Sequence, residues 1–133
     1  MESRDTILRL IQQTALILRA FFNQVPQDPM EEKDLTDFTS TLKEQTTLDL
    51  EVLLQLQTQQ DMQKYLGSIS AFDASNQEIL ADVLVALAEK ITDLNQKQAY
   101  EETALMLYIT INQTTQTYNW KRQNKIDQLK VKD

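Results

Sequence analysis

Apolar side chains recur along this chain with a helical period almost from end to end. In the first segment Leu8, Ile11, Ala15, Leu18 and Phe22 fall at i, i+3, i+7, i+10 and i+14, one continuous seam. Ile7, Leu10, Ile17 and Phe21 widen it on both sides, and Arg9, Gln12, Gln13 and Arg19 hold the narrower wet face. The spacing predicts a helix from about Ser3 or Asp5 to Gln24. A stripe this wide predicts contacts with at least two other helices.

Pro26 ends that helix. Asp28 before Pro29 reads as an N-cap followed by proline at the first helical position, with Glu31 and Glu32 in the first turn. A second helix is therefore expected from about Pro29 to Glu44, with Leu35, Phe38 and Leu42 inward. Gln45 to Thr47 is the next break, with Thr46 or Thr47 as cap. Leu48, Val52 and Leu56 form the stripe of a third helix. Thr58 and Asp61 make a capping-box pattern that opens a short fourth helix with Met62, Tyr65 and Leu66 inward. Gly67 stands where a helix-ending left-handed glycine belongs, and Ser68 to Asp73 reads as a loop.

A fifth helix is predicted from Asp73 or Ser75 to Leu94, its stripe being Leu80, Leu84, Leu87, Ile91 and Leu94. Asn95 to Lys97 reads as a tight turn, followed by a sixth helix from Gln98 to Gln113 with Tyr100, Ala104, Leu107, Tyr108 and Ile111 inward. Two helices joined so closely form an antiparallel hairpin. The β-branched run from Thr114 to Thr117 predicts a bend or break. A last helix from about Tyr118 to Lys130 would use Tyr118, Ile126 and Leu129, with Trp120 near its start. The pattern alone leaves open whether the sixth and seventh helices are continuous.

Composition sharpens this picture. One glycine in 133 residues starves the positive-φ turns that sheets rely on. The expected fold is all-α, a single domain over 1–133 of five to seven helices. Residues 1–70 hold the N-terminal helices, and 73–133 hold the hairpin and a basic C-terminal helix. The chain has no cysteine and no histidine. Thiolate sites, disulfides, imidazole ligands and the usual general base are therefore excluded, and no cofactor is implied. No apolar run approaches the roughly 18 residues of a membrane span, and Glu2, Arg4, Asp5 and Arg9 interrupt any signal-peptide core. A cytoplasmic protein is expected.

The net charge is −7, which argues against nucleic acid as a partner. The charge is uneven. Asp28 to Glu102 holds 16 acids and 5 bases, a balance of −11, whereas Thr117 to Asp133 holds 5 bases and 2 acids, a balance of +3.

Few patterns carry chemistry. Ser40 and Lys43 have the Ser-x-x-Lys spacing of penicillin-binding enzymes, without the companion motifs or the sheet that site needs. All-α pyrophosphohydrolases hold magnesium with Glu-Glu-x-x-Glu, but Leu35 follows Glu31–Glu32 and Leu105 follows Glu101–Glu102 where the third carboxylate is required. Glu78 with Asp82, and Glu89 with Asp93, have helical spacing and read as solvated charge. The most pointed feature is Trp120-Lys121-Arg122-Gln-Asn-Lys125. The ring and cations could lie on an acidic partner. The ordinary alternatives are that Trp120 and Tyr118 cap the core while the lysines stay in water, or that the tail complements the acidic body of the same or another copy.

From Ala81 through Leu84, Leu87, Ile91, Ala99 and Tyr100 to Ala104, Leu107 and Tyr108, the hairpin resembles a tetratricopeptide unit. No second copy follows at the repeat period of about 34 residues. The whole chain also resembles a group of uncharacterised small bacterial helical proteins. The resemblance lies in Asp5-Thr-Ile-Leu-Arg9-Leu-Ile-Gln12, in the acidic leucine-rich stretch from Leu48 to Leu66, and in Thr115-Gln-Thr-Tyr118-Asn-Trp120 after the hairpin. That group implies an all-helical bacterial protein and no particular activity. The expected function is a non-enzymatic interaction module with a protein or peptide partner, bound through Tyr100, Ala104, Tyr108, Trp120, Lys121, Arg122 and Lys125. The alternatives are a carboxylate, divalent-metal hydrolase and a homodimer that uses the second edge of the first helix.

Overall fold

A computed structural model describes residues 4–117 and 119–132. Among them the chain is all-helical, with seven helices. They are α1 (Arg4–Asn23), α2 (Glu32–Thr46), α3 (Leu50–Gln55), α4 (Gln59–Gly67), α5 (Ala74–Ala88), α6 (Leu94–Thr115) and α7 (Trp120–Lys132). Tyr118 and Ser3, which the sequence reading invoked, lie outside the described residues. No helix among the described residues is long and apolar enough to cross a membrane.

The centre is the hairpin of α5 and α6. Leu80, Ala81, Val83 and Leu84 of α5 and Ala104 and Leu107 of α6 are all fully buried, and the alanines let the two backbones approach. One contiguous apolar cluster gathers side chains from all seven helices, from Leu18 of α1 to Ile126 and Leu129 of α7. Phe21 of α1 meets Phe38 of α2 edge to face, with centroids 5.0 Å apart. Asn76, fully buried at the start of α5, donates from Nδ2 to the Ile11 and Ala71 carbonyls at 2.9 and 2.8 Å. That side chain fastens α1 to the entry of α5.

Several boundaries differ from the sequence reading. Asp28 and Pro29 do not open α2. Met30 instead pairs with Ile91 in an isolated parallel bridge, its N–H donating to the Lys90 carbonyl at 2.6 Å. The helix starts after Glu31, which forms a capping box with Asp34. Neither Thr46 nor Thr47 caps α3. Thr46 is the last residue of α2, Thr47 follows in the left-handed region at φ 66°, and the Asp49 carboxylate accepts from the Glu51 and Val52 N–H groups. Val52, assigned to the inner stripe, is 41% exposed.

Gly67 is not a left-handed terminator. It is the last helical residue of α4, and no glycine has positive φ. The fifth helix ends six residues early, because Asp93 caps α6 through the Asn95 and Gln96 N–H groups. Ile91 then turns in against Met30, while Leu94 is 78% exposed. At the far end the predicted break is present. Gln116 takes a left-handed conformation at φ 54°, and Asn119 starts α7 by accepting from the Lys121 and Arg122 N–H groups.

Candidate functional site

Asn119 sets the rotational phase of α7, because the helix can begin only where its side chain satisfies the first N–H groups. That phase turns Arg122, Lys125, Ile126 and Leu129 inward, at i, i+3, i+4 and i+7. On α5, Glu78 and Asp82 stand one turn apart and face them. Arg122 places Nε and Nη2 on one Glu78 oxygen at 3.1 and 2.9 Å, and Nη1 on Asn112 Oδ1 at 2.7 Å. Lys125 Nζ reaches the other Glu78 oxygen at 3.3 Å and Asp82 Oδ1 at 2.9 Å. It also lies 5.5 Å from the centre of the Tyr108 ring. The Tyr108 hydroxyl donates to the same Asp82 oxygen.

Two acids and two cations thus close a neutral network at the seam of α5, α6 and α7. Burial works against the Lys125 charge, but Asp82 and Glu78 outweigh it and hold its pKa above the ordinary lysine value. Burial raises the Tyr108 phenol strongly, and the negative charge and acceptor bond of Asp82, followed by the Glu78 charge, push it in the same direction.

This overturns the reading of Glu78 and Asp82 as solvated charge and of Lys125 as left in water, and it matches the alternative in which the tail complements the acidic body of the same copy. The carboxylates carry ion pairs, which makes them poor ligands for a divalent ion. Glu89 and Asp93 do not act as a helical pair either, since α5 ends before them. Among the described residues no group of three carboxylates could hold a metal ion.

Beside the network, Phe22 of α1, Val85 and Ala86 of α5 and Leu129 of α7 line an open cleft of about 420 Å3. Asp82, Glu89, Lys125, Gln128 and the edge of Tyr108 form its polar part. Phe22 is 47% exposed here, although the sequence places it in the first helix's inner seam. The arrangement suits an apolar side chain with a cation beside it.

The residues proposed from the sequence are dispersed. Tyr100 and Ala104 lie in the core and offer no surface. The Tyr100 phenol is raised by burial, and the bond from Thr39 only partly offsets this. Tyr108 and Lys125 meet at the cleft. Arg122 is buried under α7. Trp120 is 61% exposed, so it does not cap the core, and Lys121 is exposed beside it.

Sequence reasoning missed Asn76, Asn112 and the cleft residues Phe22, Val85 and Leu129. The one available signal for the network was opposite charge at matching helical spacing, with Glu78 and Asp82 against Arg122 and Lys125. Compared with known proteins, the chain matches no family, no curated protein and no solved structure.

Proposed function

We propose that this chain is a non-enzymatic protein-interaction module of the bacterial cytoplasm, and that the cleft between α1, α5 and α7 receives a segment of its partner. In this reading the α5–α6 hairpin serves as a tetratricopeptide-like scaffold, with α7 clamped along it. The observation that carries the proposal is the cleft itself, an apolar floor of Phe22, Val85 and Leu129 with the exposed Glu89 carboxylate at its rim. The surrounding body supports a basic partner, because residues 28–102 carry a balance of −11 and would steer a cationic peptide toward the site. The partner segment presents an apolar anchor to the floor and a lysine or arginine to Glu89.

The test is affinity capture from the native host with the intact protein and with Ala86→Trp, which fills the cleft with an indole. A partner retained by the intact protein and lost with Ala86→Trp supports the reading. Identical capture by both proteins, or none by either, overturns it.

A further inference from the structure

α1 buries little for its length. Of its 20 residues only Thr14 and Leu18 are buried, while Leu8 is 48% and Leu16 is 66% exposed. The exposed leucines are ordered. Along the outer face Asp5, Leu8, Gln12, Leu16 and Arg19 follow one another at intervals of 3, 4, 4 and 3 residues, within about 80° of arc on a helix of 3.6 residues per turn. Such intervals make the seam of a two-helix contact. The row is also palindromic. Turned end for end about Gln12, it superposes leucine on leucine and exchanges Asp5 with Arg19. Neither of those two charges has an ion-pair partner among the described residues.

We propose that two copies of this chain associate through α1, antiparallel, about a twofold axis at Gln12. Leu8 then packs on the partner's Leu16 and Asp5 pairs with the partner's Arg19, each contact occurring twice. The two Gln12 amides meet on the axis, where each can donate and accept. A parallel pairing would set aspartate on aspartate and arginine on arginine. It would also align the two helix dipoles, which the antiparallel pairing opposes. Charge favours this face over the acidic middle of the chain. Each copy carries −7 overall, but residues 1–27 hold three arginines against two acids. α1, like the C-terminal segment at +3, is therefore a side on which two acidic bodies can meet with less repulsion than across residues 28–102. An unrelated partner would impose no such symmetry on the row. One helix pair makes an interface at or below the low end of stable complexes, so the dimer is concentration-dependent.

Sedimentation velocity from about 5 μM to about 1 mM spans the range of weak association. The expected mass rises from 15.4 kDa toward twice that. Leu16→Glu stays monomeric throughout. Asp5→Arg alone and Arg19→Asp alone are also monomeric, because each sets like charges together at both ends of the seam. A 1:1 mixture of the two sets arginine against aspartate at both ends and regains the dimer. All these positions are exposed, so circular dichroism of each variant matches the wild type. A wild-type mass of 15.4 kDa at the highest concentration overturns the proposal. So does dimerisation of either single charge variant to the wild-type extent, or a mixture that remains monomeric.

Discussion

Replacing Arg122 by alanine tests whether the ion network fastens α7. The side chain is 9% exposed and makes two bonds to Glu78 and one to Asn112. Breaking a buried charge pair by removing one partner costs about 3–5 kcal/mol when the remaining charge is stranded. Here Glu78 is not stranded, because Lys125 still lies 3.3 Å away and the Glu78 side chain is 22% exposed. Water can replace part of what is lost. The expected destabilisation is therefore about 2 kcal/mol. For a chain of this size that lowers Tm by roughly 5–8 °C. Thermal and urea melts followed at 222 nm measure it, with Lys121→Ala as the control. Lys121 is exposed on the same helix, so its removal should stay within about 0.5 kcal/mol. Added salt should change the Arg122 effect little, since buried pairs are weakly screened. If Arg122→Ala melts with Lys121→Ala, the network does not hold α7, and the account of this seam is wrong.

Thr47 occupies the left-handed region at φ 66°, which costs a β-branched residue about 1–2 kcal/mol. Thr47→Gly relieves this against a smaller loss through the unfolded chain, so the urea midpoint should rise by the equivalent of about 1 kcal/mol. An unchanged or lower midpoint would contradict the strain. A Cβ on Gly67 would meet nothing within 4 Å, so Gly67→Ala should stabilise by about 0.5–1 kcal/mol in the same assay. A loss of stability would place Gly67 in a conformation other than helical. Tyr108, Tyr100 and Lys125 all have folded pKa values raised above their ordinary 10.0, 10.0 and 10.5. Their contribution is complete below about pH 10 and is lost as pH climbs through the folded values. In an alkaline titration the phenolate absorbance of Tyr100 and Tyr108 should appear together with loss of helical ellipticity. Ionisation of all four tyrosines with the helices intact would refute it.

Helix by helix, much of this fold was legible beforehand. Leu35, Phe38 and Leu42, then Leu80, Leu84 and Leu87, then Ile126 and Leu129, point inward as their spacing requires. Thr58 caps the helix it was expected to cap, and of the two starts expected for the fifth helix, Asp73 and Ser75, Asp73 is the one that caps it. The β-branched run after Gln113 precedes a real break. The errors occur where two local signals compete. Asp28–Pro29 and Glu31 both resemble helix starts, and the Met30–Ile91 bridge decides between them. Asp93 could ride on a longer α5 or cap α6, and capping wins because it satisfies two N–H groups at once.

Sequence alone established an all-helical chain, because a helix's period, caps and breaks are written within a few residues of each other. It could also exclude thiol and imidazole chemistry by absence of the residue types. Which charges are solvated and which are paired was decided only by tertiary structure. Glu78 and Arg122 stand 44 residues apart, and no local pattern records that α7 folds back onto α5. The same holds for the cleft and for the exposed row on α1. Both are left over after the helices have packed, so they depend on which faces found partners and which did not.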